Sequence, residues 1–307
     1  MTISDPKVRK GIVWVASYPK SGNTWMRVFL YHLVRIVGGH EGDADDLGNL
    51  QRIGGAEAGR IDLFERFMGR PVVGAPFEQI AAVRPKVQAA IAAEADGVVF
   101  SKTHTALGVT AGVPTIDFGS TVGAMYVVRN PLDVVPSLAA HFGISLDEAI
   151  DRMCLENCTF TPRDTLAPEF WGSWSQNVGS WTGQPNPLIM PVRYEDMLSM
   201  PNAVFRAVAG FVGHQPTDQQ LASAIRLSSF KRLKDAEQRH GFVEAVREGQ
   251  PFFREGRAGG WRRVLSQDQI RRVLGTHHDQ MSRVGYLTSD LARLVPTRER
   301  QVGAGSD

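Results

Sequence analysis

An apolar run, a turn of small residues and a helical apolar pattern follow one another near the N-terminus, and this order constrains the fold more than any other feature. Residues 12–15 are apolar and mostly β-branched, which predicts a short buried strand. Apolar side chains then recur at helical spacing from Trp25 to Val37, and Gly38-Gly39 marks the end of the predicted helix. The turn between strand and helix aims several backbone N–H groups and the positive end of the helix at one point. A phosphate or sulfate group fits there.

The turn differs from the phosphate-binding loop of P-loop NTPases. A Walker A motif needs Gly, four residues and then Gly-Lys-Ser/Thr. Here Lys20 precedes Gly22, and no glycine stands at the front of the loop. A kinase or GTPase also needs a metal-holding aspartate at a strand end, whereas the second and third predicted strands end in Lys-Thr-His at residues 102–104 and Arg-Asn at residues 129–130. The NTPase interpretation is therefore disfavoured.

Length and charge narrow the class of protein. The chain has 307 residues, which suits one large α/β domain or two small ones. Its formal net charge of +2 suits a local basic pocket and does not argue for nucleic acid. No apolar run approaches the roughly 18 residues of a membrane span, and the N-terminus lacks the pattern of a signal peptide. We therefore expect a cytoplasmic protein with a loose lead-in at residues 1–10, one domain over residues 11–297 and a polar tail at residues 298–307.

Predicted strands alternate with predicted helices, which is typical of a mainly parallel sheet covered by helices on both faces. The strands are expected at residues 12–15, 97–104, 123–129 and 188–194. After the first helix, others are expected at residues 61–67, 85–95, 130–142, 146–158, 169–181, 201–213, 217–240 and 267–283, with loops at residues 38–60 and 241–260. Pro191 predicts that the last strand is bent or lies near an edge. Ligands of such sheets bind beyond the carboxyl ends of the strands, where Lys20, His104 and Arg129 fall.

The helix predicted at residues 130–142 contains two prolines, one at its start and one inside it. Asn130-Pro131 reads as a cap followed by a first-turn proline. Pro136 lies inside the helix, where a proline removes one backbone hydrogen bond and crowds the carbonyl four residues earlier. We expect a kink or a non-helical turn near residues 132–136, with Ser137 still facing the site.

Cysteines and isolated histidines carry little chemistry in this sequence. Cys154 and Cys158 lie four apart in a predicted helix, and no His or Cys cluster accompanies them, so we expect reduced thiols and no metal site. Several histidines have no motif around them and are expected to be structural or on the surface, namely His32, His141, His240, His277 and His278.

Residues 18–25, Tyr-Pro-Lys-Ser-Gly-Asn-Thr-Trp, resemble the 5′-phosphosulfate loop of sulfotransferases that use 3′-phosphoadenosine 5′-phosphosulfate (PAPS). In that family the loop reads Tyr-Pro-Lys-Ser/Ala-Gly-Thr-Thr-Trp, so Asn23 is a departure that keeps a polar side chain. Further segments match the family's motifs in family order: Lys-Thr-His at 102–104, the 3′-phosphate strand and helix at 126–137, Gly-Ser-Trp at 172–174, Arg-Tyr-Glu-Asp-Met at 193–197, Ser-Ser-Phe at 228–230 and the last 3′-phosphate element at 253–261. The resemblance covers residues 12–265.

This resemblance implies a single P-loop-like three-layer α/β domain with mobile substrate-binding loops, PAPS as co-substrate and no metal. It implies Lys20, Lys102 and His104 as catalytic residues, with Lys20 at the oxygen that bridges phosphorus and sulfur, Lys102 at the sulfuryl oxygens and His104 as the base. We expect the pKa of His104 to lie near working pH, as for an unperturbed histidine. The implied nucleotide-binding residues are Lys20, Ser21, Gly22, Asn23, Thr24, Trp25, Arg129, Ser137, Tyr194, Ser228, Phe230, Arg254, Glu255 and Gly256, with Trp25 and Phe230 stacking on adenine.

The predicted function is transfer of the sulfuryl group of PAPS to an acceptor hydroxyl, which is favoured over an amine, with release of adenosine 3′,5′-bisphosphate (PAP). The alternatives are an ATP-dependent small-molecule kinase and a non-catalytic nucleotide-binding module. The acceptor, whether a small molecule, a lipid or a glycan, is not specified by any motif, and a homodimer stays open because residues 262–271 match the family's dimerisation segment poorly. Aromatic residues that could shape an apolar acceptor pocket, or equally form local core, are Phe64, Phe67, Phe77, Phe142, Phe160, Phe170 and Trp171.

One position contradicts the charge pattern of the family. Where the 3′-phosphate motif usually reads Arg-Lys-Gly, this chain has Arg254-Glu255-Gly256. Either the pocket no longer takes a 3′-phosphate, or the middle residue contributes only its backbone N–H while its side chain faces solvent. The resemblance implies the second explanation, with Arg257 as an additional contact.

Overall fold

A four-stranded parallel sheet forms the centre of the protein, with the strand order β2-β1-β5-β8. The computed structural model describes residues 10–40, 58–161, 166–242, 244 and 251–294. Residues 1–9 of the predicted lead-in, most of the predicted loop at 38–60 and the predicted tail at 298–307 lie outside the described residues. The strands run in chain order as β1 Gly11–Ser17, β2 Val98–Thr103, β3 Val109–Thr110, β4 Val113–Pro114, β5 Thr121–Val128, β6 Thr159–Phe160, β7 Glu169–Phe170 and β8 Ile189–Arg193.

Helices cover both faces of this sheet, which confirms the predicted three-layer α/β fold. Side chains alternate along β1, so that Trp14 packs into a hydrophobic cluster on one face of the sheet and Val15 into a different cluster on the opposite face. The helices run in chain order as α1 Asn23–Val37, α2 Ile61–Met68, α3 Phe77–Glu94, α4 Pro131–Phe142, α5 Leu146–Cys154, α6 Trp174–Thr182, α7 Tyr194–Ser199, α8 Pro201–Phe211, α9 Asp218–Leu227, α10 Phe230–His240, α11 Gln267–Arg283 and α12 Ser289–Ala292. Within the described ranges, no helix is both long and apolar enough to span a bilayer.

The strand assignments are confirmed, and local signals explain where they succeed. Every residue of β1 is buried, as its apolar run predicted. Strand β8 lies at an edge of the sheet, where Pro191 costs no ladder hydrogen bond on its open side. Asn130 caps α4, because its side chain accepts a hydrogen bond from the backbone N–H of Leu132 at 3.0 Å.

Several helix boundaries differ from the prediction. Helix α3 begins at Phe77, eight residues before Pro85, because the prediction treated that proline as a start and it lies inside the helix. Helix α5 ends at Cys154, so Cys158 lies beyond it, and both cysteines are free. The helix predicted from residue 169 starts only at Trp174, after β7, because Ser173 and Gln176 form a capping box there. The predicted helix at 217–240 is two helices separated at residues 228–229.

Helix α4 is continuous from Pro131 to Phe142, so the predicted non-helical turn at Pro136 is absent. Contacts from the last predicted motif hold this part of the helix. The carboxylate of Asp133 accepts hydrogen bonds from the backbone N–H groups of Gly259 at 2.7 Å and Trp261 at 3.1 Å. The carbonyl of Pro136 accepts one from Arg254 at 3.3 Å.

Candidate functional site

A cavity of about 530 Å³ lies at the carboxyl ends of β1, β2 and β5. Parallel sheets bind ligands at this edge, and the volume is in the usual range for a small-molecule site. Most of the predicted site residues line the cavity, namely Lys20, Gly22, Asn23, Thr24, Trp25, Lys102, His104, Arg129, Ser137, Tyr194, Phe230, Arg254, Glu255 and Gly256. Segments that are far apart in the sequence therefore meet as their motifs predict.

Ser21 and Ser228 are the two predicted residues that do not line the cavity. Ser228 is buried at the end of α9, and its hydroxyl donates to the carbonyls of Ala224 at 2.9 Å and Ile225 at 3.2 Å. Ser21 is also fully buried. A nucleotide contact from either residue stays a prediction.

The loop after β1 is held in an unusual backbone conformation. Lys20 has φ of 65° and Gly22 has φ of 108°, both in the left-handed region. A Cβ on Gly22 would lie 2.6 Å from the ring of Tyr194, so only glycine fits there. The amide of Asn23 donates to the carbonyl of Val15 at 2.7 Å. The one residue that departs from the family's loop thus ties the loop back to β1.

The ammonium group of Lys20 lies against aromatic residues. Its Nζ is 3.4 Å from Nδ1 of His141 and 3.7 Å from the centroid of the Phe252 ring. Burial lowers the pKa of Lys20 to about 7; Glu244 opposes this shift, whereas Lys102 adds to it. Burial likewise lowers the pKa of His141 to about 3, so its neutral ring can accept a hydrogen bond from Lys20.

The prediction that His141 is structural or on the surface is therefore wrong. His141 lines the cavity and contacts the lysine predicted to be catalytic. No motif in the sequence marks His141. Its place in the cavity results from the packing of α4 beside the loop that follows β1. Phe252 was also outside every nucleotide assignment, although it precedes the last predicted motif by one residue.

His104 follows β2 and is fixed by three backbone contacts. Its Nδ1 donates to the carbonyl of Ser17 at 2.8 Å, which leaves Nε2 as the nitrogen that can accept a proton. Its backbone N–H donates to Glu169 at 2.9 Å, and its carbonyl accepts from Asn177 at 2.9 Å. The ring is thus held in one tautomer.

Burial, with the nearby charge of Lys102, lowers the pKa of His104 to about 4, although Glu169 opposes the shift. The expectation of a pKa near working pH is therefore wrong. The difference arises from the burial of the His104 ring and from the charge of Lys102 near it. Neither can be read from the sequence. At neutral pH the imidazole is already unprotonated and can act as a base.

Lys102, Arg27 and Glu244 form a buried ionic cluster. The carboxylate of Glu244 lies 2.6 Å from Nη1 of Arg27 and 3.4 Å from Nζ of Lys102, and the hydroxyl of Thr24 donates to it at 3.4 Å. Burial alone would raise the pKa of Glu244, but Arg27 and Lys102 hold that pKa well below its usual range. Glu244 lies in the predicted loop at 241–260 and belongs to no motif, so the sequence analysis missed it.

A family model described as "Sulfotransferase domain" matches residues 10–285. The chain belongs to the sulfotransferase family. Its similarity to individual relatives is low. It is 24% identical over 296 residues to cytosolic sulfotransferase 16 of Arabidopsis thaliana, covering 90% of this chain and 78% of the relative. It is 22% identical over 298 residues to flavonol 4′-sulfotransferase of Flaveria chlorifolia, covering 91% of this chain and 82% of the relative.

Two solved structures have a similar fold. A mouse sulfotransferase complexed with PAP superposes with a TM-score of 0.59 at 18% identity, covering 93% of this chain and 89% of the mouse chain. A retinol dehydratase in complex with androsterone and the inactive cofactor PAP superposes with a TM-score of 0.60 at 18% identity, covering 91% and 83% of the two chains. At this identity the superpositions show the fold, which is the predicted one.

The predicted 3′-phosphate elements of this sulfotransferase meet beside the loop after β1. The guanidinium group of Arg129 donates to the carbonyls of Lys20 at 3.0 Å and Arg257 at 3.3 Å. It also lies 4.4 Å from the centroid of the Tyr194 ring. Arg129 therefore connects the first predicted motif to the last one.

Glu255 forms an ion pair with its neighbour in the sequence. Its carboxylate lies 2.8 Å from Nε of Arg257, and the two side chains are 45% and 48% exposed. The expectation that its side chain faces solvent is met in part, and Arg257 neutralises its charge. Gly256 has φ of 59°, and a Cβ there would lie 2.2 Å from the Phe230 ring, so the backbone passes directly over that ring.

An aromatic wall, made of Phe142, Phe160 and Trp171, lines part of the cavity. The ring centroids of Phe160 and Trp171 are 4.2 Å apart, and those of Phe142 and Phe160 are 5.1 Å apart. The Trp171 ring meets His104 edge-on with centroids 6.2 Å apart. The other aromatic candidates, Phe64, Phe67, Phe77 and Phe170, do not line the cavity.

Proposed function

We propose that this sulfotransferase moves the sulfuryl group of PAPS to a hydroxyl of a small, largely apolar acceptor. The observation that carries the proposal is that a single cavity holds Lys20, Lys102 and the free Nε2 of His104 next to the aromatic wall. A base beside an apolar pocket suits a hydroxyl on a flat or apolar molecule, and the lysines suit an anionic donor. Relatives named for flavonols and a 3β-hydroxysteroid support this acceptor class.

Unpaired donors support the binding of an anionic nucleotide. Among the buried side-chain atoms of the described residues, Nε1 of Trp25 and Nε of Arg129 have no hydrogen-bond partner, and both residues line the cavity. Buried donors without partners are uncommon in native proteins and are explained when a ligand completes them. The PAP in two structures of similar fold supports a 3′-phosphorylated nucleotide here.

We assign the catalytic steps to three side chains. Nε2 of His104 takes the proton from the acceptor hydroxyl as its oxygen bonds to sulfur. The bond between sulfur and the bridging oxygen breaks, and the electron pair stays on the 5′-phosphate of PAP. Lys20 stabilises the charge that develops on that oxygen, and Lys102 holds the sulfuryl oxygens. Positively charged donors already placed for the transition state supply most of the acceleration in such transfers.

The remaining roles and partners are proposed at a coarser level. The backbone of residues 20–24 would bind the 5′-phosphate, and Trp25 and Phe230 would flank adenine. Arg129, Ser137, Arg254 and the backbone of residues 255–256 would bind the 3′-phosphate.

The described residues contain no group of three or more His, Cys, Asp or Glu side chains suited to a metal. The word "cytosolic" in the names of Arabidopsis relatives supports a cytoplasmic location, and homodimerisation stays a prediction.

The test is a mass-spectrometric screen for sulfated products, with PAPS and a panel of phenols, steroid alcohols and sugar alcohols. We expect products from the phenols or steroids. Trp171→Ala should lower kcat/KM for the acceptor about tenfold or more while the affinity for PAP stays unchanged, because a truncated aromatic residue loses about 1–3 kcal/mol of apolar contact. Phe118→Ala, at an aromatic residue that is 42% exposed, is the matched control and should change neither quantity.

Two results would contradict this proposal. Phosphorylated products from ATP and magnesium, with none from PAPS, would favour the kinase. Binding of PAP without any sulfated product across the panel would favour the non-catalytic module. The aromatic wall would lose its assignment if Trp171→Ala weakened PAP as much as it weakened the acceptor.

Calorimetry with PAP tests the 3′-phosphate assignment. We expect Arg129→Ala to weaken PAP by about tenfold or more, because a charge-assisted hydrogen bond contributes about 1.5–3 kcal/mol. Glu255→Lys should strengthen PAP by much less, because the Glu255 carboxylate is already paired with Arg257 and half-exposed to screening solvent. Adenosine 5′-monophosphate is the reference ligand. Equal affinity for PAP and the monophosphate would exclude a 3′-phosphate site.

A further inference from the structure

The carboxylate of Glu244 lies among the cations of the proposed donor site. It contacts Lys102, Arg27 and the hydroxyl of Thr24, and it lines the same cavity as the loop after β1. Glu244 is only 6% exposed, so solvent screens its charge weakly. A carboxylate repels an anionic nucleotide, so the presence of Glu244 in this site calls for an explanation.

The charge of Glu244 acts on three ionisable groups that line the cavity. It raises the pKa of Lys20, of His104 and of His141, in each case against the larger effect of burial. Arg27 and Lys102 carry two positive charges, and Glu244 cancels one of them. The cluster of these three side chains therefore carries a single net positive charge.

We propose that Glu244 is a specificity determinant that selects a sulfuryl donor over its phosphoryl analogue through the charge of the terminal group. The inference rests on the proposed function, in which Lys102 holds the oxygens of that group. A terminal sulfuryl group carries one negative charge, whereas a terminal phosphoryl group carries close to two at neutral pH. A nearby carboxylate repels the second group more strongly, and such like-charge contacts discriminate between ligands.

The test uses the full chain and three ligands: PAP, PAPS and 3′-phosphoadenosine 5′-diphosphate. Calorimetry gives the affinity of each for the wild type, Glu244→Gln and Glu244→Asp. We expect Glu244→Gln to strengthen the 5′-diphosphate by about tenfold and PAPS by less, so that the preference for PAPS shrinks. Glu244→Asp keeps the charge and should keep the wild-type preference.

A double variant that restores the net charge of the cluster tests whether that charge sets the preference. Arg27→Met combined with Glu244→Gln removes both members of the buried pair, which proteins often tolerate, and leaves the same net charge beside Lys102. Its preference should match the wild type. If Glu244→Gln alone does not fold, comparing Arg27→Met with the double variant isolates the Glu244 charge.

The outcomes distinguish this inference from the proposed function. If the wild type binds neither PAP nor PAPS, the proposed function fails. If it binds both, but Glu244→Gln changes the affinity for PAPS and for the 5′-diphosphate by the same factor or not at all, Glu244 does not select the donor and the proposed function stands. A double variant that behaves like Glu244→Gln would show that the net charge of the cluster does not set the preference, and the inference would fail.

Discussion

We expect His104→Ala to lower turnover by about 10²–10⁴, the usual contribution of a positioned general base. The expectation follows from geometry, because the carbonyl of Ser17 accepts the Nδ1 hydrogen and leaves Nε2 for the acceptor proton. His104→Asn retains a side-chain donor for the same carbonyl and still lacks the base, so it should be as slow as alanine. Steady-state kinetics of sulfated product measure the effect.

Stability and pH separate a catalytic role of His104 from a structural one. His277 is a fully buried histidine that is hydrogen-bonded to Ser175 and lies outside the cavity, so His277→Ala is the control. It should lower the melting temperature without lowering the turnover of the folded protein. Because the pKa of His104 is about 4, kcat/KM of the wild type should rise through about pH 4 and stay level until Lys20 begins to lose its proton near pH 7. Turnover near the wild-type level in His104→Asn would exclude the base.

The sequence predicted the sheet and the position of the site because the signals that determine them are local. A buried run followed by a small-residue turn specifies β1 and its loop within a few residues, and the carboxyl ends of parallel strands necessarily share an edge. The motifs that end β2 and β5 therefore had to meet Lys20. The helix boundaries were less reliable, because Ser173 overrides the apolar pattern before it by capping α6.

The electrostatics of the site could not be predicted in the same way. Glu244 contacts Arg27, from which it is separated by 217 positions in the sequence, and Lys102, from which it is separated by 142. No periodicity in the sequence connects them. His141 meets Lys20 across 121 positions. The pKa values of Lys20 and His104 are lowered chiefly by burial, which depends on packing from several elements at once. Residue types were thus readable from the sequence, whereas their protonation states were not.

The protonation state of Lys20 leads to the second large effect. Its pKa is lowered from 10.5 to about 7 in the free protein, so the ammonium group predominates below about pH 7 and is lost as the pH rises. A neutral lysine cannot stabilise the charge on the departing PAP. An anionic donor favours the charged form and raises the pKa again. Activity should therefore fall at alkaline pH in plots of kcat/KM for PAPS, which report the free enzyme. In plots of kcat the same fall should lie at higher pH.

Lys20→Ala should lower kcat by about 10²–10³, the effect of removing one preorganised donor to a developing charge, while the affinity for PAP falls much less. In Lys20→Arg the guanidinium stays charged, so the fall in kcat/KM above about pH 7 should disappear even if the bulkier side chain lowers the rate. Lys86→Ala, at an exposed position on α3, is the control and should keep the wild-type profile. An alkaline limb near pH 7 that persists in Lys20→Arg would belong to another group. Near-normal turnover in Lys20→Ala would remove the lysine from the mechanism, because no other side chain was assigned to the bridging oxygen.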